Sequence, residues 1–378
     1  MSIQPRNRTE GKPGAQYQII TVITNESNGL YQWRGELLQT LMERGIHVSA
    51  LTPFDLNVAD LCGMGVEMRE ISFDRRGINP RKELKLLRQF KKVLEDKQPD
   101  LVITYTAKPN IYGGMVCRRL GIPYAANITG LGSAFEGQGI LPRVMADLYR
   151  CALKGARAVF FENEANLRFF TQNRIINRKQ ACLLNGAGVS LDRFPLAPYP
   201  ENEITEFLFL GRIMREKGID ELLDAVGRLN EEGVPCRLTV LGQFEEDYRE
   251  RFTREEQKGI LRYCGFQEDV RPYIYASDCL ILPSWHEGMA NVNLEAAASG
   301  RPVITSNIPG CREAVLDGNS GFFCESRNSE SLYLTMKRFI ELPKDIRAQM
   351  GLRGREHMQA HFDRKCVIET TLDRLGID

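Results

Sequence analysis

The stretch CLILPSWHEGMANVNLEAAASG, residues 279 to 300, predicts a buried strand, a tight turn and a helix in succession. Cys279 to Leu282 is an uninterrupted apolar run of the kind found in parallel strands. Gly288 suits the turn, and residues 293 to 299 are rich in Ala and also hold Leu and Glu, which favour a helix. Repeated strand–turn–helix units build α/β folds. The free N–H groups at such a helix start, together with the helix dipole, bind anions such as phosphate.

Two carboxylates flank this turn, Glu287 before it and Glu295 inside the predicted helix. A carboxylate repels a phosphate, so these side chains are better suited to accept hydrogen bonds from hydroxyl groups. A ligand that carries both phosphates and hydroxyls, such as a sugar nucleotide, would satisfy the whole stretch. An N-cap glutamate and a solvated helix glutamate explain the two residues equally well. The stretch alone therefore leaves both interpretations open.

The wider pattern around this stretch resembles a known family. Glu-x7-Glu is followed by AAASGRPVI, residues 296 to 304, and by IPGCRE, residues 308 to 313. This order resembles the retaining glycosyltransferases of family 4. In that family the first glutamate contacts the donor sugar, the second holds the ribose, and the turn amides between them bind the diphosphate. The resemblance therefore implies donor contacts at Glu287, Gly288, Met289, Ala290, Asn291, Val292 and Glu295.

A second motif follows the predicted strand 206 to 210, where residues 211 to 218 read GRIMREKG. An arginine and a lysine at the carboxyl end of a strand suit a diphosphate, because arginine forks onto phosphate oxygens and lysine acts as a point charge. Gly-Arg-x4-Lys-Gly also matches the diphosphate-binding motif of the family. The resemblance implies that Arg212 and Lys217 bind the donor. With Glu287 they form the predicted catalytic set, in which the two cations stabilise charge on the leaving nucleoside diphosphate.

The resemblance implies further donor contacts at two places in the chain. The family places a glycine near the donor phosphates, and Gly29 occurs at that point, in the predicted loop from Thr24 to Leu30. A glycine that only permits a turn is a nearly equal explanation. The family also packs the nucleotide base near the loop that here contains Gly265 and Phe266.

Three residues of the N-terminal half are candidates for acceptor binding. Lys108 ends a predicted strand-and-loop segment, and with Arg143 it could meet an acceptor diphosphate. Thr129 follows another predicted strand. Many family members carry a histidine at that position, near the donor sugar, so no histidine role can be transferred to this chain.

Composition excludes several classes of protein. The 378 residues include 50 basic and 49 acidic ones, which argues against binding nucleic acid through bulk charge. The ten cysteines form no Cys-x-x-Cys and only four histidines are present, so we expect no structural zinc site and free thiols in a reducing cytoplasm. We expect no signal peptide and no membrane span. The sequence predicts a cytoplasmic protein that is soluble or peripheral on a membrane.

The predicted fold is α/β, with two Rossmann-like domains facing a cleft, the glycosyltransferase-B architecture. Residues 1 to 14 are expected to be disordered, and residues 15 to 198 to form the acceptor-binding domain. Prolines at 195, 198 and 200 suggest a linker. Residues 199 to 360 are expected to bind the nucleotide sugar, and residues 361 to 378 to form a helix that crosses back to the first domain.

Residues 80 to 97 predict a strongly two-faced helix. Arg81, Lys85, Arg88 and Lys92 share one face, and Leu84, Leu86, Leu87, Phe90, Val93 and Leu94 share the other. A solvated basic face above a core-facing stripe is the simpler interpretation. Attraction to anionic lipid headgroups, at about 1 kcal/mol per basic residue, is the alternative.

The resemblance implies transfer of a hexose or N-acetylhexosamine from a UDP-sugar to a saccharide acceptor linked to undecaprenyl diphosphate, in assembly of a bacterial surface polysaccharide or glycan. The expected partners are the UDP-sugar, the lipid-linked acceptor and the inner face of the cytoplasmic membrane, and no nucleic acid. No cofactor and no metal are expected, because the chain contains no Asp-x-Asp and Arg212 with Lys217 can replace the charge of a metal. A sugar-nucleotide epimerase or hydrolase on the same fold, or a catalytically dead assembly subunit, are the alternatives.

Overall fold

The computed structural model describes residues 17–72, 79–131, 135 and 140–378. The segment 1–14, predicted to be disordered, lies outside the described residues. The chain divides into two compact units. Unit 1 holds the residues up to Leu184 together with Ile368–Asp378, and unit 2 holds Asn185–Val367.

Unit 1 contains a parallel sheet in which, among the described residues, seven strands follow the order β3-β2-β1-β4-β5-β6-β7. The strands are β1 (Ile19–Ile23), β2 (His47–Thr52), β3 (Glu67–Glu70), β4 (Leu101–Tyr105), β5 (Tyr124–Ile128), β6 (Ala158–Phe161) and β7 (Ala181–Leu183). The helices between them are α1 (Ser27–Glu43), α2 (Val58–Gly63), α3 (Pro80–Lys97), α4 (Gly114–Leu120), α5 (Ile140–Leu153) and α6 (Glu164–Gln172). The strand order reverses between β1 and β4, as in Rossmann-like folds.

Unit 2 repeats this plan with a six-stranded parallel sheet, again counted over the described residues, in the order β10-β9-β8-β11-β12-β13. Its strands are β8 (Thr205–Leu210), β9 (Cys236–Leu241), β10 (Leu261–Tyr263), β11 (Cys279–Leu282), β12 (Val303–Ser306) and β13 (Gly321–Cys324). Its helices are α7 (Ile219–Glu231), α8 (Arg249–Gln257), α9 (Arg271–Ala276), α10 (Asn291–Ala298), α11 (Ser329–Ile340), α12 (Lys344–His361) and the start of α13 (Arg364–Leu375). The order reverses between β8 and β11.

Helices cover both faces of the unit 2 sheet, so its central strands are apolar throughout. Successive residues of a strand point to opposite faces. Phe207 and Phe209 of β8 accordingly join the core that includes α7 and α11, whereas Leu208 and Leu210 join the core that includes α10 and α12. Burial on both sides explains why these strands are continuous hydrophobic runs and do not alternate with polar residues. The prediction of two Rossmann-like α/β domains is confirmed.

The segment after Leu184 is attached to unit 2. Val189 forms a parallel bridge with Asp363, and its N–H donates to the Phe362 carbonyl over 2.8 Å. The fully buried Arg301 donates to the Ala197 and Pro198 carbonyls. These contacts place the division between the units at residues 184 and 185, earlier than the expected linker near residue 198, and a second division falls inside α13.

Two details of unit 1 differ from the sequence prediction. Gly29 was expected in a loop, but α1 begins at Ser27 and includes it. The predicted helix 80–97 is confirmed as α3, and Leu86, Phe90 and Leu94 are buried as expected. Leu84, assigned to the same apolar stripe, is 48% exposed, because it lies on the side of the helix that faces away from the sheet. Within the described part of the chain, no helix is long and apolar enough to cross a membrane.

Candidate nucleotide-sugar site

The candidate site lies at the carboxyl ends of β8 and β11, the two adjacent strands at which the order of the unit 2 sheet reverses. In open α/β sheets this position is where ligands bind. The loop after β8 contains Gly211 to Gly218, and the loop after β11 contains Pro283 to Ala290. We call the second segment the donor loop. The two sequence motifs are therefore brought together by the topology.

Lys217 and Glu287 form an ion pair that joins the two loops. Their side chains are 18% and 13% exposed, so both charges are largely removed from water. The Ser284 hydroxyl donates to the same Glu287 oxygen over 2.9 Å. Lys217 and Glu287 thus lie together, as their predicted shared site requires, and the carboxylate is held in a fixed orientation.

Trp285 fixes the donor loop to the loop after β8. Its backbone N–H donates to the Glu216 carbonyl over 2.9 Å, and its indole Nε1–H donates to Glu221 Oε1 over 3.0 Å. His286 Nε2 lies 3.3 Å from Glu216 Oε2. Sequence reasoning missed these positioning contacts. The signal that could have revealed them is a glutamate among the apolar positions at the start of α7, since a buried carboxylate requires a partner.

Two glycines allow the loops to approach this closely. Gly218 has a φ of +74°, and a Cβ on it would lie 2.2 Å from the Pro283 carbonyl oxygen. Gly310 has a φ of +87°, and a Cβ there would lie 2.6 Å from the Glu287 carbonyl oxygen. The Gly310 carbonyl accepts from the Ala290 N–H over 2.7 Å. The IPGCRE motif therefore supports the donor loop directly.

Helix α10 begins at Asn291, immediately after the donor loop, and its N-cap Ala290 offers no side-chain cap. Gly288, Met289 and Ala290 precede this helix start and Val292 lies in its first turn, which is where the sequence predicted a diphosphate. Glu295 lies one turn into α10 and is partly buried. Burial raises the pKa of the Glu295 carboxyl to about 7, although the guanidinium groups of Arg364 and Arg193 lower it in part.

The other predicted donor residues are more scattered. Arg212 follows β8, its side chain is 54% exposed, and it forms an ion pair with Glu245 at 3.3 Å. Gly265 and Phe266 follow β10 at the edge of the sheet, and the Phe266 side chain is 43% exposed. Gly29 belongs to unit 1, where it packs against Glu26 and Trp33. Their roles as donor contacts stay predictions.

The predicted acceptor residues lie in unit 1. Lys108 forms an ion pair with Glu83 at 2.6 Å, with side chains 15% and 10% exposed. Thr129 directly follows β5 and is partly buried, and Arg143 is exposed on α5. In the described ranges, no three His, Cys, Asp or Glu side chains are grouped so that they could hold a metal ion.

Two family sequence models match the chain, one in each unit. The model described as glycosyl transferase 4-like matches residues 20–163, and the model described as glycosyl transferases group 1 matches residues 205–341. The chain belongs to the family 4 glycosyltransferases. The resemblance predicted from Glu-x7-Glu and Gly-Arg-x4-Lys-Gly is confirmed, and with it the assignment of the chain as an enzyme.

Two curated relatives of this glycosyltransferase act on lipid-linked saccharides. The N,N'-diacetylbacillosaminyl-diphospho-undecaprenol alpha-1,3-N-acetylgalactosaminyltransferase of Campylobacter jejuni is 25% identical over 341 residues, covering 85% of this chain and 89% of the relative. The UDP-Gal:alpha-D-GlcNAc-diphosphoundecaprenol alpha-1,3-galactosyltransferase of Escherichia coli is 27% identical, covering 70% and 73%.

Solved structures show the same fold. The Anabaena protein HepE, crystallised in complex with UDP-glucose, superposes with a TM-score of 0.78 at 17% identity, covering 94% of this chain and 99% of that protein. At this identity the likeness concerns the fold, which is the glycosyltransferase-B fold predicted from the sequence.

Proposed function

We propose that this glycosyltransferase moves a hexose or N-acetylhexosamine from a UDP-sugar to a lipid-diphosphate-linked saccharide, with retention at the anomeric carbon, in bacterial glycan assembly. The observation that carries the proposal is the Lys217–Glu287 ion pair at the carboxyl ends of β8 and β11. It presents one cation for a phosphate and one carboxylate for sugar hydroxyls side by side. The named activities of the two relatives support the donor and acceptor classes.

The donor site is assigned to unit 2. In the proposed complex the start of α10 directs backbone N–H groups and the positive end of a dipole at the diphosphate. Lys217 then exchanges part of its contact with Glu287 for a phosphate oxygen, which leaves the carboxylate able to accept hydrogen bonds from donor-sugar hydroxyls. Glu295, one turn further along α10, is suited to accept from the ribose hydroxyls.

The proposed chemical step breaks the bond between the anomeric carbon and the diphosphate oxygen and forms a bond from the acceptor oxygen to the same face of that carbon. Negative charge develops on the leaving UDP, and Lys217 with Arg212 and the α10 amides stabilise it. The acceptor hydroxyl gives its proton to the departing phosphate oxygen. No protein nucleophile is required.

The acceptor class implies work at a membrane surface. On α3, Arg81, Lys85, Arg88 and Lys92 are all exposed. On α5, the apolar side chains of Ile140, Leu141 and Val144 are 78%, 46% and 44% exposed. Exposed cations attract anionic headgroups and apolar side chains enter the headgroup boundary. We propose α3 and α5 as the lipid-facing elements of unit 1.

A ligand-binding experiment tests the donor assignment. Thermal unfolding is followed with UDP, GDP, ADP and CMP, each with and without EDTA. A nucleotide at a concentration of 100 times its dissociation constant stabilises the folded protein by about 2.7 kcal/mol. We expect UDP alone to raise the melting temperature. A shift with GDP instead would mean that the donor is not a UDP-sugar. No shift with any of the four nucleotides would favour a dead assembly subunit.

Turnover then separates a transferase from the epimerase or hydrolase alternatives. UDP release from a panel of UDP-sugars is measured with and without a lipid-linked saccharide extract. We expect UDP release that depends on the extract. Equal donor turnover without any acceptor would support an epimerase or a hydrolase.

A further inference from the structure

The carboxyl edge of the unit 1 sheet holds a second group of polar residues. Ile23 of β1 is paired with Thr104 of β4, so Asn25 and Thr106 follow these strands side by side. Ile128 of β5 is paired with Phe161 of β6, so Thr129 lies beside Glu162. This edge, like that of unit 2, contains the point where the strand order reverses, and ligands bind at such points.

Two groups at this edge that could bind a phosphate, the amides at the start of α1 and the Lys108 ammonium, already contact carboxylates of the chain itself. At the start of α1, Asp55 Oδ1 accepts from the N–H groups of Ser27 and Asn28 over 3.0 and 2.9 Å. Lys108 is held by Glu83. A phosphate would have to displace a carboxylate at either place. These groups are therefore poorly suited to bind an anion at this edge.

The polar groups at this edge that could bind a ligand carry no charge. The Tyr105 hydroxyl, Thr106 Oγ1 and Asn25 Oδ1 are buried atoms without a hydrogen-bond partner among the described residues. Arg34 lies over the Tyr105 ring at 4.8 Å and forms a 2.7 Å ion pair with Glu162. We call these five residues the edge cluster. Its one guanidinium is neutralised, and buried hydroxyl and amide groups without partners are costly unless a ligand or water satisfies them.

The backbone at Thr106 is strained. Its φ is +70°, a left-handed conformation that a β-branched residue rarely adopts. A π-helical turn, Pro109–Gly113, follows within three residues. Strained residues and π-helical turns concentrate at functional sites. Both features point to the same edge as the atoms without partners.

We propose that the edge cluster binds the hydroxyl groups of the acceptor's terminal sugar, so that the enzyme recognises its acceptor in unit 1 through a neutral saccharide and not through a phosphate at Lys108. The assignment rests on the proposed function, because it names the acceptor subsite of that reaction. Tyr105, Thr106 and Asn25 supply the hydrogen bonds, directly or through one ordered water. The Arg34–Glu162 pair fixes the Tyr105 ring.

The test uses methyl-labelled threonine in the full-length protein and follows the Thr106 and Thr129 resonances with UDP present. The probes are the methyl glycosides of glucose, galactose, N-acetylglucosamine and N-acetylgalactosamine, and inorganic pyrophosphate. We expect at least one glycoside to shift both resonances, and pyrophosphate to leave them unchanged. A response to pyrophosphate, or no response to any glycoside, would overturn the proposal. The UDP-induced thermal shift of the same sample reports separately whether the donor assignment stands.

A matched pair of hydroxyl deletions separates binding from structure. Tyr105→Phe should weaken binding of the responding glycoside by roughly three- to tenfold, leave UDP binding unchanged, and raise the melting temperature, because a buried hydroxyl without a partner is removed. Tyr124→Phe is the control: its hydroxyl donates to the Ala152 carbonyl at the opposite end of neighbouring β5. This variant should lower the melting temperature and leave glycoside binding unchanged. If Tyr105→Phe keeps full glycoside affinity, the cluster holds only water and the proposal is wrong.

Discussion

The ammonium group of Lys217 is paired with the carboxylate of Glu287, which joins the loop after β8 to the loop after β11. The two residues are 70 positions apart and meet only because β8 and β11 are neighbours in the sheet. Each charge is stabilised by the other in a partly desolvated position. In the proposed complex a diphosphate replaces part of the contact to Lys217, and sugar hydroxyls replace part of the contact to Glu287.

Glu287→Gln should reduce kcat by on the order of 100-fold while leaving the UDP dissociation constant unchanged or lower. The amide keeps the shape of the side chain but no longer accepts strongly from sugar hydroxyls, and Lys217 is freed for the phosphate. Transfer rates and calorimetric UDP titrations measure the two effects. The matched control is Glu232→Gln, which changes an exposed glutamate paired with Lys337. This variant should change neither the transfer rate nor the UDP affinity. Wild-type turnover in Glu287→Gln would remove this residue from the site.

Lys217→Met should weaken UDP binding about 10- to 100-fold, the usual range for losing a charge-assisted hydrogen bond to phosphate. It should also lower kcat, because charge on the leaving diphosphate is less well stabilised. Calorimetry and initial rates give the two values. Lys258→Met, which removes an exposed lysine paired with Glu255 in unit 2, serves as the control. Equal UDP affinity in both variants would contradict the assignment of Lys217.

Transfer should be insensitive to EDTA. Lys217 and Arg212, with the α10 amides, can supply the positive charge that a divalent cation supplies in other glycosyltransferases. Rates are compared in EDTA and in added Mg²⁺ or Mn²⁺ at the same ionic strength. Loss of most activity in EDTA, restored by one of the metals, would show that this charge is insufficient.

Much of the fold was accessible from the sequence because parallel strands buried on both faces are continuous apolar runs. The apolar segment that became β11 and the two-faced segment that became α3 carry this signal strongly. The meeting of Lys217 and Glu287 was predictable for a different reason: the two motifs place these residues after β8 and after β11, and the strand order makes those strands neighbours.

The remaining features depend on contacts between distant segments. Local sequence around Lys108 indicates an available cation, but Glu83, on the preceding helix, already pairs with it. Likewise the local sequence around Trp285 indicates only a loop aromatic, but the structure pairs its indole N–H with Glu221 of α7. Leu84 continues an apolar stripe in the sequence, yet the sheet covers only part of that stripe. Such pairings are set by packing and leave no periodic signal.

Arg301→Lys should lower the free energy of unfolding of unit 2 by about 2 to 4 kcal/mol. The Arg301 guanidinium is fully buried and donates to backbone carbonyls of three segments, including those of Tyr275, Pro198 and Ser299. A lysine cannot reach all of them, so buried carbonyls lose their partners. Urea unfolding measures the change. Arg262→Lys, at an exposed position of β10, should be neutral. An equally stable Arg301→Lys protein would show that water replaces the guanidinium.

Glu295 should make both stability and UDP binding depend on pH near neutrality. Its pKa is raised from 4.5 to about 7 in the folded protein, so the folded state holds the proton more tightly than the unfolded state does. The stabilisation is complete below about pH 4.5 and is lost as the pH rises through 7, by about 3 kcal/mol. The ribose hydroxyls need the ionised carboxylate, so UDP affinity should change in the opposite direction and increase between pH 6 and 8.

Glu295→Gln should remove this pH dependence from both the unfolding free energy and the UDP affinity, since an amide does not titrate. Urea unfolding and UDP titrations of both proteins at pH 6 and pH 8 provide the measurement. A wild-type UDP affinity that is flat over this range, with the unfolding free energy still falling, would show that Glu295 titrates but does not bind the ribose.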